Sequence, residues 1–295
     1  MERITSPELK VLEALARYRY LTVNQLARLG IRKSPAKVGE KLIRPLRKKG
    51  LIESKHYKPD FRSRAPSIHF LKRNAVIALA EIHEVDPDSF VYPKYGLRSD
   101  YEYHHRVGLV DFHISLRMWA EREGHKVRLF EYDFDLERGK VGYEKKTGVT
   151  LGKRRIIPDI NFLLDMSDGE SRLFTVELHN LSKRARVVDQ LLDHVAICKA
   201  GLLSKKYGHD HGNRVLSVYT DPRMLESVRD VLRESPEFMP LGEAGVFLFN
   251  SLEVLSEEFS NGWSTIDEGP SPLFAGSSPS PSKKTRKLFG MFGRK

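Results

Sequence analysis

Residues 158–179 hold two short apolar runs, Ile160–Leu164 and Leu173–His179, separated by the turn cluster Asp165-Met166-Ser167-Asp168-Gly169-Glu170. Strand-like composition on both sides of such a cluster constrains the segment to a β-hairpin. Centring the turn on Asp168 sets Asp159 opposite Glu177, Ile160 opposite Val176, Asn161 opposite Thr175 and Phe162 opposite Phe174. Side chains alternate between faces, so this register gives one wholly apolar face and one reading Asp, Asn, Thr, Glu, His. Directly opposed residues have Cβ atoms about 4.5–5.5 Å apart. Two carboxylates at that spacing repel unless a cation or a cationic side chain lies between them, and hard oxygen donors are what Mg²⁺ prefers. The alternative is a half-exposed sheet with an ordinary polar face.

The 295 residues suffice for two modest domains and a tail, at roughly 100–200 residues per domain. No run of eighteen apolar residues occurs, and MERITSPELK lacks the apolar segment of a secretory signal, so a soluble cytoplasmic protein without an integral membrane segment is expected. A single cysteine, Cys198, excludes a disulfide or a Cys-based zinc site within one chain; in the helical pattern VVDQLLDHVAICKAGLL it reads as a core thiol. The formal charge of +11 is unevenly spread. Residues 1–85 hold 19 Lys/Arg against 8 Asp/Glu, residues 86–270 hold 25 against 31, and residues 271–295 hold 6 against none. A basic head suggests a polyanionic partner, and the acidic middle does not suggest a general phosphate binder.

Within the head, Ser6-Pro7 suggests an N-cap and first helical position, with a helix to about Tyr20. Thr22-Val23-Asn24-Gln25 forms a capping box for a second helix stopping at Gly30. Ser34-Pro35 starts a third, ending at Lys49-Gly50 and interrupted by Pro45, where a kink is expected. Three short helices with short connections are a helix-turn-helix core. At 100° per residue Lys37, Lys41, Arg44 and Lys48 share one face of the third helix, with Val38, Leu42, Ile43 and Leu46 opposite. An apolar back with a basic front suits major-groove docking, although a solvated lysine-rich face has the same pattern. Residues 51–57 and 67–71 then read as a hairpin whose tip carries Lys58, Arg62 and Arg64. That hairpin is a wing able to touch backbone or minor groove.

Residues 86–100 read as a linker. Beyond it the pattern suggests a helix (104–122), a strand (126–135), the hairpin, a helix (183–200), a strand (214–220), a helix (222–233) and a strand (245–249). This α-β-β-β-α-β-α-β order, with Pro158-Asp159 and Glu177-Leu178-His179 on the second and third strands, resembles restriction-endonuclease-like PD-(D/E)xK nucleases. The basic winged helix, then LKRNAVIALAE, then HHRVGLVDFHISL, then this core, together resemble the plasmid replication-relaxation proteins and the related MOBC-type mobilisation relaxases, over about residues 8–250. The implied fold is α+β: a winged-helix domain (1–85), a linker (86–100), a nuclease-like domain (101–260) and a disordered basic tail (261–295). The resemblance implies conjugation-type nicking of double-stranded DNA at a plasmid or mobile-element origin. It also implies that Asp159 and Glu177 hold Mg²⁺ or Mn²⁺. His179 stands where the family has lysine, so either His179 or the nearby Lys183 would do that work, or the site is inactive. A third acid usually comes from the first helix, where Asp111 and then Glu102 are the candidates.

Tyrosine relaxases combine a His-hydrophobic-His motif with a nucleophilic Tyr. The chain has His209-Asp210-His211 near Tyr207, but Asp stands in the middle and KKYGHDHGN reads as a loop. His104-His105, beside Tyr101 and Tyr103, read as capping and stacking residues at a helix start. From Glu268 the chain turns Pro/Ser/Gly-rich and ends in KKTRKLFGMFGRK, with the composition of a disordered basic tail. By analogy with the resembled class, such a tail engages an accessory mobilisation protein or a coupling protein; its six cations with Leu288, Phe289, Met291 and Phe292 equally suit acidic lipid, DNA, a protein groove or a generic flexible tail. The rival reading is a non-catalytic DNA-binding replication or transcription regulator with a degenerate nuclease-like domain.

Overall fold

The computed structural model describes residues 3–56, 65–93, 102–139, 142–180 and 183–267. Packing divides the chain into two units, Met1–Ile114 and Ser115–Lys295.

In the first unit, α1 (Ser6–Tyr18) is capped by Thr5, one residue before the expected Ser6. Glu8 decides this, because its carboxylate accepts the Thr5 N–H at 2.8 Å and closes a capping box. In α2 (Val23–Arg28) the expected box forms, with the Thr22 N–H donating to Gln25 Oε1 at 2.9 Å and the Gln25 N–H to Thr22 Oγ1 at 3.2 Å. The third helical run comprises α3 (Pro35–Val38), a π-helical turn (Gly39–Ile43) and α4 (Arg44–Lys48). The irregularity expected at Pro45 takes the form of that wide turn, in which the Arg44 N–H reaches Gly39 O. Pro45 has no N–H to donate and its ring crowds the carbonyl four residues back, a conflict that a π turn relieves. Val38, Leu42, Ile43 and Leu46 are buried, and Lys37, Lys41, Arg44 and Lys48 are exposed. Strands β1 (Ile52–Lys55) and β2 (Ile68–Leu71) pair antiparallel, with Leu21 bridging to His69. The wing-tip residues Lys58, Arg62 and Arg64 lie outside the described residues. Helix α5 (Arg73–His83) and a 3-10 turn (Pro87–Ser89) follow. The start of α6 (Tyr103–Arg122) also belongs here: Tyr103 donates to Pro66 O at 2.6 Å, and His113 packs edge-on against Tyr18.

His69 is buried with Nδ1 at 2.7 Å from Ser54 Oγ, and burial pushes its pKa from 6.5 to about 4, assisted by Arg47 and His56. Its neutral form is therefore favoured on folding. Stability is full above pH 6.5 and falls as the unfolded chain takes up a proton that the folded chain refuses, by up to about 1.4 kcal/mol per pH unit between 6.5 and about 4. The melting temperature of the full chain should fall between pH 7 and pH 5, and His69→Leu should flatten that dependence; an unchanged slope in the variant would contradict this account.

The second unit contains β3 (Lys126–Tyr132), β4 (Leu136–Arg138), β5 (Tyr143–Lys145), β6 (Val149–Leu151), β7 (Arg154–Ile156), β8 (Ile160–Asp165) and β9 (Ser171–His179). After these come α7 (Arg184–Ala200), α8 (Leu202–Tyr207), β10 (Asn213–Tyr219), α9 (Pro222–Arg233), α10 (Met239–Glu243), β11 (Phe247–Ser251) and α11 (Leu252–Glu257). Five strands form a mixed sheet in the order β11-β10-β9-β8-β3; β8 runs antiparallel to both of its neighbours, β3 and β9, and β9, β10 and β11 are parallel. The β8–β9 register is the one read from sequence: Ile160 pairs with Val176, Asn161 with Thr175 and Phe162 with Phe174. Gly169, at φ +89°, supplies the left-handed residue of the connecting turn. On the apolar face Phe130, Phe162 and Phe174 stack across three strands, with centroids 6.0 and 4.9 Å apart.

The other face is not half-exposed. Asn161, Thr175, Glu177 and His179 are all buried. Toward β10 and β11 this face turns apolar, and Val215, Phe247 and Phe249 pack in one core with Val187, Leu191 and Val195 of α7 and Val228 and Leu232 of α9. Cys198 packs against that core, and burial pushes its thiol up to about 12. Several segments depart from expectation. The strand expected over 126–135 stops at Tyr132, where Asp135 turns back to accept the Tyr132 N–H at 3.2 Å. Residues 136–156 form two small hairpins, β4–β5 and β6–β7, whose three-residue strands are too short for a periodic signal. The stretch expected as a loop begins with α8, held by the burial of Leu203 and Tyr207 against the sheet. Finally, residues 261–267 are packed and not part of a tail: Trp263 and Ile266 are buried, and Ser264 bridges to Phe249. The residues from Glu268 onward lie outside the described residues. Among the described residues no helix is long and apolar enough to cross a membrane.

Candidate functional site

Asp159 immediately precedes β8, one position beyond the last β8–β9 pair, on the row that carries Glu177. Its backbone oxygen accepts the Asp133 N–H at 2.8 Å, and its carboxylate Oδ2 accepts the Leu178 N–H at 2.7 Å. Strands β3, β8 and β9 are therefore tied together at the residue that begins the hairpin. Glu177 is 4% exposed, and its Oε1 lies 2.6 Å from His194 Nε2.

His194 is the residue that sequence reasoning missed. Burial pushes its pKa down to about 4, with Asp159 and Asp193 pulling the other way. A neutral ring assigns the Nε2 proton as donor to Glu177, and Nδ1 has no hydrogen-bond partner among the described residues. The signal was present in the helix: Val187, Leu191, His194 and Val195 fall on one stripe at i, i+4, i+7, i+8, which places a histidine among core positions. The expected conflict between opposed carboxylates thus meets a backbone N–H and a neutral imidazole N–H.

As a donor set the two carboxylates fit Mg²⁺ or Mn²⁺. Mg²⁺ is typically bound through one or two carboxylates while retaining several waters. Among the described residues no group of three or more His, Cys, Asp and Glu is arranged to hold a metal.

The other expected site residues are distributed as follows. His179 shares the buried face with Glu177, packs its ring 4.8 Å from that of Tyr219 and places Nε2 3.1 Å from Ser217 Oγ. Lys183 caps α7 and is exposed. Asp111 belongs to the first unit, where its Oδ1 accepts from Gln25 Nε2 at 3.1 Å and lies 3.6 Å from Arg28. Burial raises the Asp111 pKa, and these two neighbours oppose the rise. Glu102 accepts from Arg106 Nε at 3.1 Å.

A second polar row lies on the same face of the sheet. Tyr207 donates to Glu131 Oε2 at 2.8 Å and accepts from Asn161 Nδ2 at 3.0 Å, and Thr175 Oγ1 donates to Asn161 Oδ1 at 2.8 Å. Burial, followed by the Glu131 charge, raises the Tyr207 pKa. His209 is buried, with Nε2 2.8 Å from Ser171 O and Nδ1 3.1 Å from Gly212 O. Tyr207 and His209 are thus engaged in fastening α8 and its following turn to the sheet, which is not the arrangement of a tyrosine nucleophile beside a metal. No protein-family model, curated protein or solved structure matches the chain.

Proposed function

We propose that the chain is a DNA-processing protein of mobile-element type, in which a winged-helix head binds duplex near an origin and a PD-(D/E)xK-like unit nicks one strand with a divalent metal. The observation that carries this reading is the Asp159–Glu177 pair, set at one end of an antiparallel hairpin and locked by the Leu178 N–H. Three antiparallel strands continued by two parallel ones, with helices between them, agree with the nuclease-like arrangement that the sequence resembles. A Mg²⁺ or Mn²⁺ ion on these carboxylates would acidify a bound water and screen charge on the attacked phosphate. The chain's own contribution is positional: Leu178 N–H fixes Asp159, and His194 fixes Glu177 through Oε1. A non-catalytic DNA-binding regulator is the second reading, and one observation favours it. His179, in the place of the family's lysine, is buried and bonded to Ser217.

The test is conversion of supercoiled plasmid carrying the chain's own origin region to the nicked form, with Mg²⁺, Mn²⁺ or chelator. Metal-dependent nicking supports the first reading, and its absence with intact DNA binding supports the second.

For the head, the exposed basic front of α3–α4 is expected to carry duplex affinity. Lys41→Ala with Arg44→Ala should weaken duplex binding and flatten its dependence on log salt by about 0.9 for each phosphate no longer neutralised. Salt titrations of the full chain check this, and an unchanged slope would remove these residues from the interface.

A further inference from the structure

The two hairpins inserted between β3 and β8 form a basic island in an otherwise acidic stretch. Residues 136–157 hold 7 Lys/Arg against 2 Asp/Glu, whereas residues 86–270 as a whole hold 25 against 31. The β4–β5 register opposes Leu136 to Lys145 and Arg138 to Tyr143, so these four side chains share one face. All four are exposed, Tyr143 at 73% and Leu136 at 45%. The two acids, Glu137 and Glu144, fall on the opposite face, where Arg155 bonds Glu144 and Lys206 lies 3.6 Å from Glu137. Sorting by register thus leaves a surface that alternates apolar and cationic groups.

The insertion is anchored at the candidate site. Its entry and exit are joined by the Asp133 N–H to Asp159 O bond, and Lys145 Nζ lies 3.4 Å from Asp133 Oδ2. Leu136 follows Asp133 by three residues, so its backbone is at most about 11 Å from that anchor. On the other side Arg154 bonds Asp193 of α7 at 2.7 Å, beside His194.

We propose that the Leu136–Arg138–Tyr143–Lys145 face holds a single DNA strand next to Asp159 and Glu177. The inference rests on the DNA-processing reading given above. Cations take the phosphates, and an exposed aromatic ring offers a stacking platform for an unpaired base, whose face a duplex keeps inside its own stack. Charge complementarity selects an anionic polymer, and the exposed tyrosine selects the single-stranded form.

The experiment measures binding of the full chain to a labelled 20-nucleotide oligothymidylate and to a 20-base-pair duplex. Tyr143→Ala should weaken the single strand about tenfold while Tyr143→Phe retains it. Arg138→Ala should flatten the single-strand salt dependence by about 0.7. Duplex affinity, carried by the head, should change by less than about twofold in each, and the side chains are exposed enough that melting temperatures should match wild type. Unchanged single-strand affinity in Tyr143→Ala, or an equal loss on duplex, overturns the hairpin proposal and leaves the nicking reading standing. A chain that binds neither probe overturns both.

Discussion

Asp159→Asn and Glu177→Gln are each expected to lower metal-dependent nicking by about a hundredfold or more, with duplex affinity unchanged. Outer-shell partners of a metal ligand commonly contribute 10–100-fold, and the ligands themselves no less. The amide replacements suit the geometry better than alanine does. Glu177→Gln keeps a carbonyl acceptor for the His194 N–H, whereas Glu177→Ala would strand that buried donor at a cost of about 1–3 kcal/mol and confuse folding with catalysis. Nicking rates and duplex affinities measured on the same preparations check the prediction. Equal nicking by wild type and either variant would remove the pair from the chemistry.

Phe162→Ala is expected to destabilise the chain by about 3–5 kcal/mol. Phe162 is fully buried at the centre of the stack that joins β3, β8 and β9, so its removal leaves a cavity lined by Phe130 and Phe174. Because the same strands present Asp159 and Glu177 on the other face, loss of this packing should reduce metal affinity together with stability. Urea denaturation gives the size of the effect, and a change under about 1 kcal/mol would show that the stack does not carry the sheet.

The legible part of the fold was the part with strong period or punctuation. The hairpin register followed from a turn cluster between two runs of opposite-face alternation, and the basic front of the third helical run followed from 3.6-residue spacing. The long helices α6, α7 and α9 came out within a residue or so of expectation because each has a continuous pattern and a clear stop. The strands of 136–156 were not legible, since three residues of exposed charge have no periodicity to detect. The burial of the polar hairpin face was also hidden. It depends on His194 and Tyr207, which lie 15 and 28 residues beyond the end of the hairpin at His179, and a strand's own alternation cannot report what covers it. The same limit applied to the candidate site. Its two acids were visible as a pair, but the donors that hold them, Leu178 N–H and His194 Nε2, are products of tertiary packing. Trp263 and Ile266 were readable as apolar anchors, yet the Pro/Ser-rich composition that starts at Glu268 drew the tail boundary too early.

The central claim is that Asp159 and Glu177 share a divalent cation, and calorimetric titration of Mn²⁺ into the full-length chain tests it without requiring turnover or a cognate origin. One Mn²⁺ site in wild type that is lost in both Asp159→Asn and Glu177→Gln, with melting temperatures preserved in the absence of metal, is the result expected. No binding by wild type, or a wild-type site in either variant, would contradict the account and leave the pair as a structural feature of the hairpin.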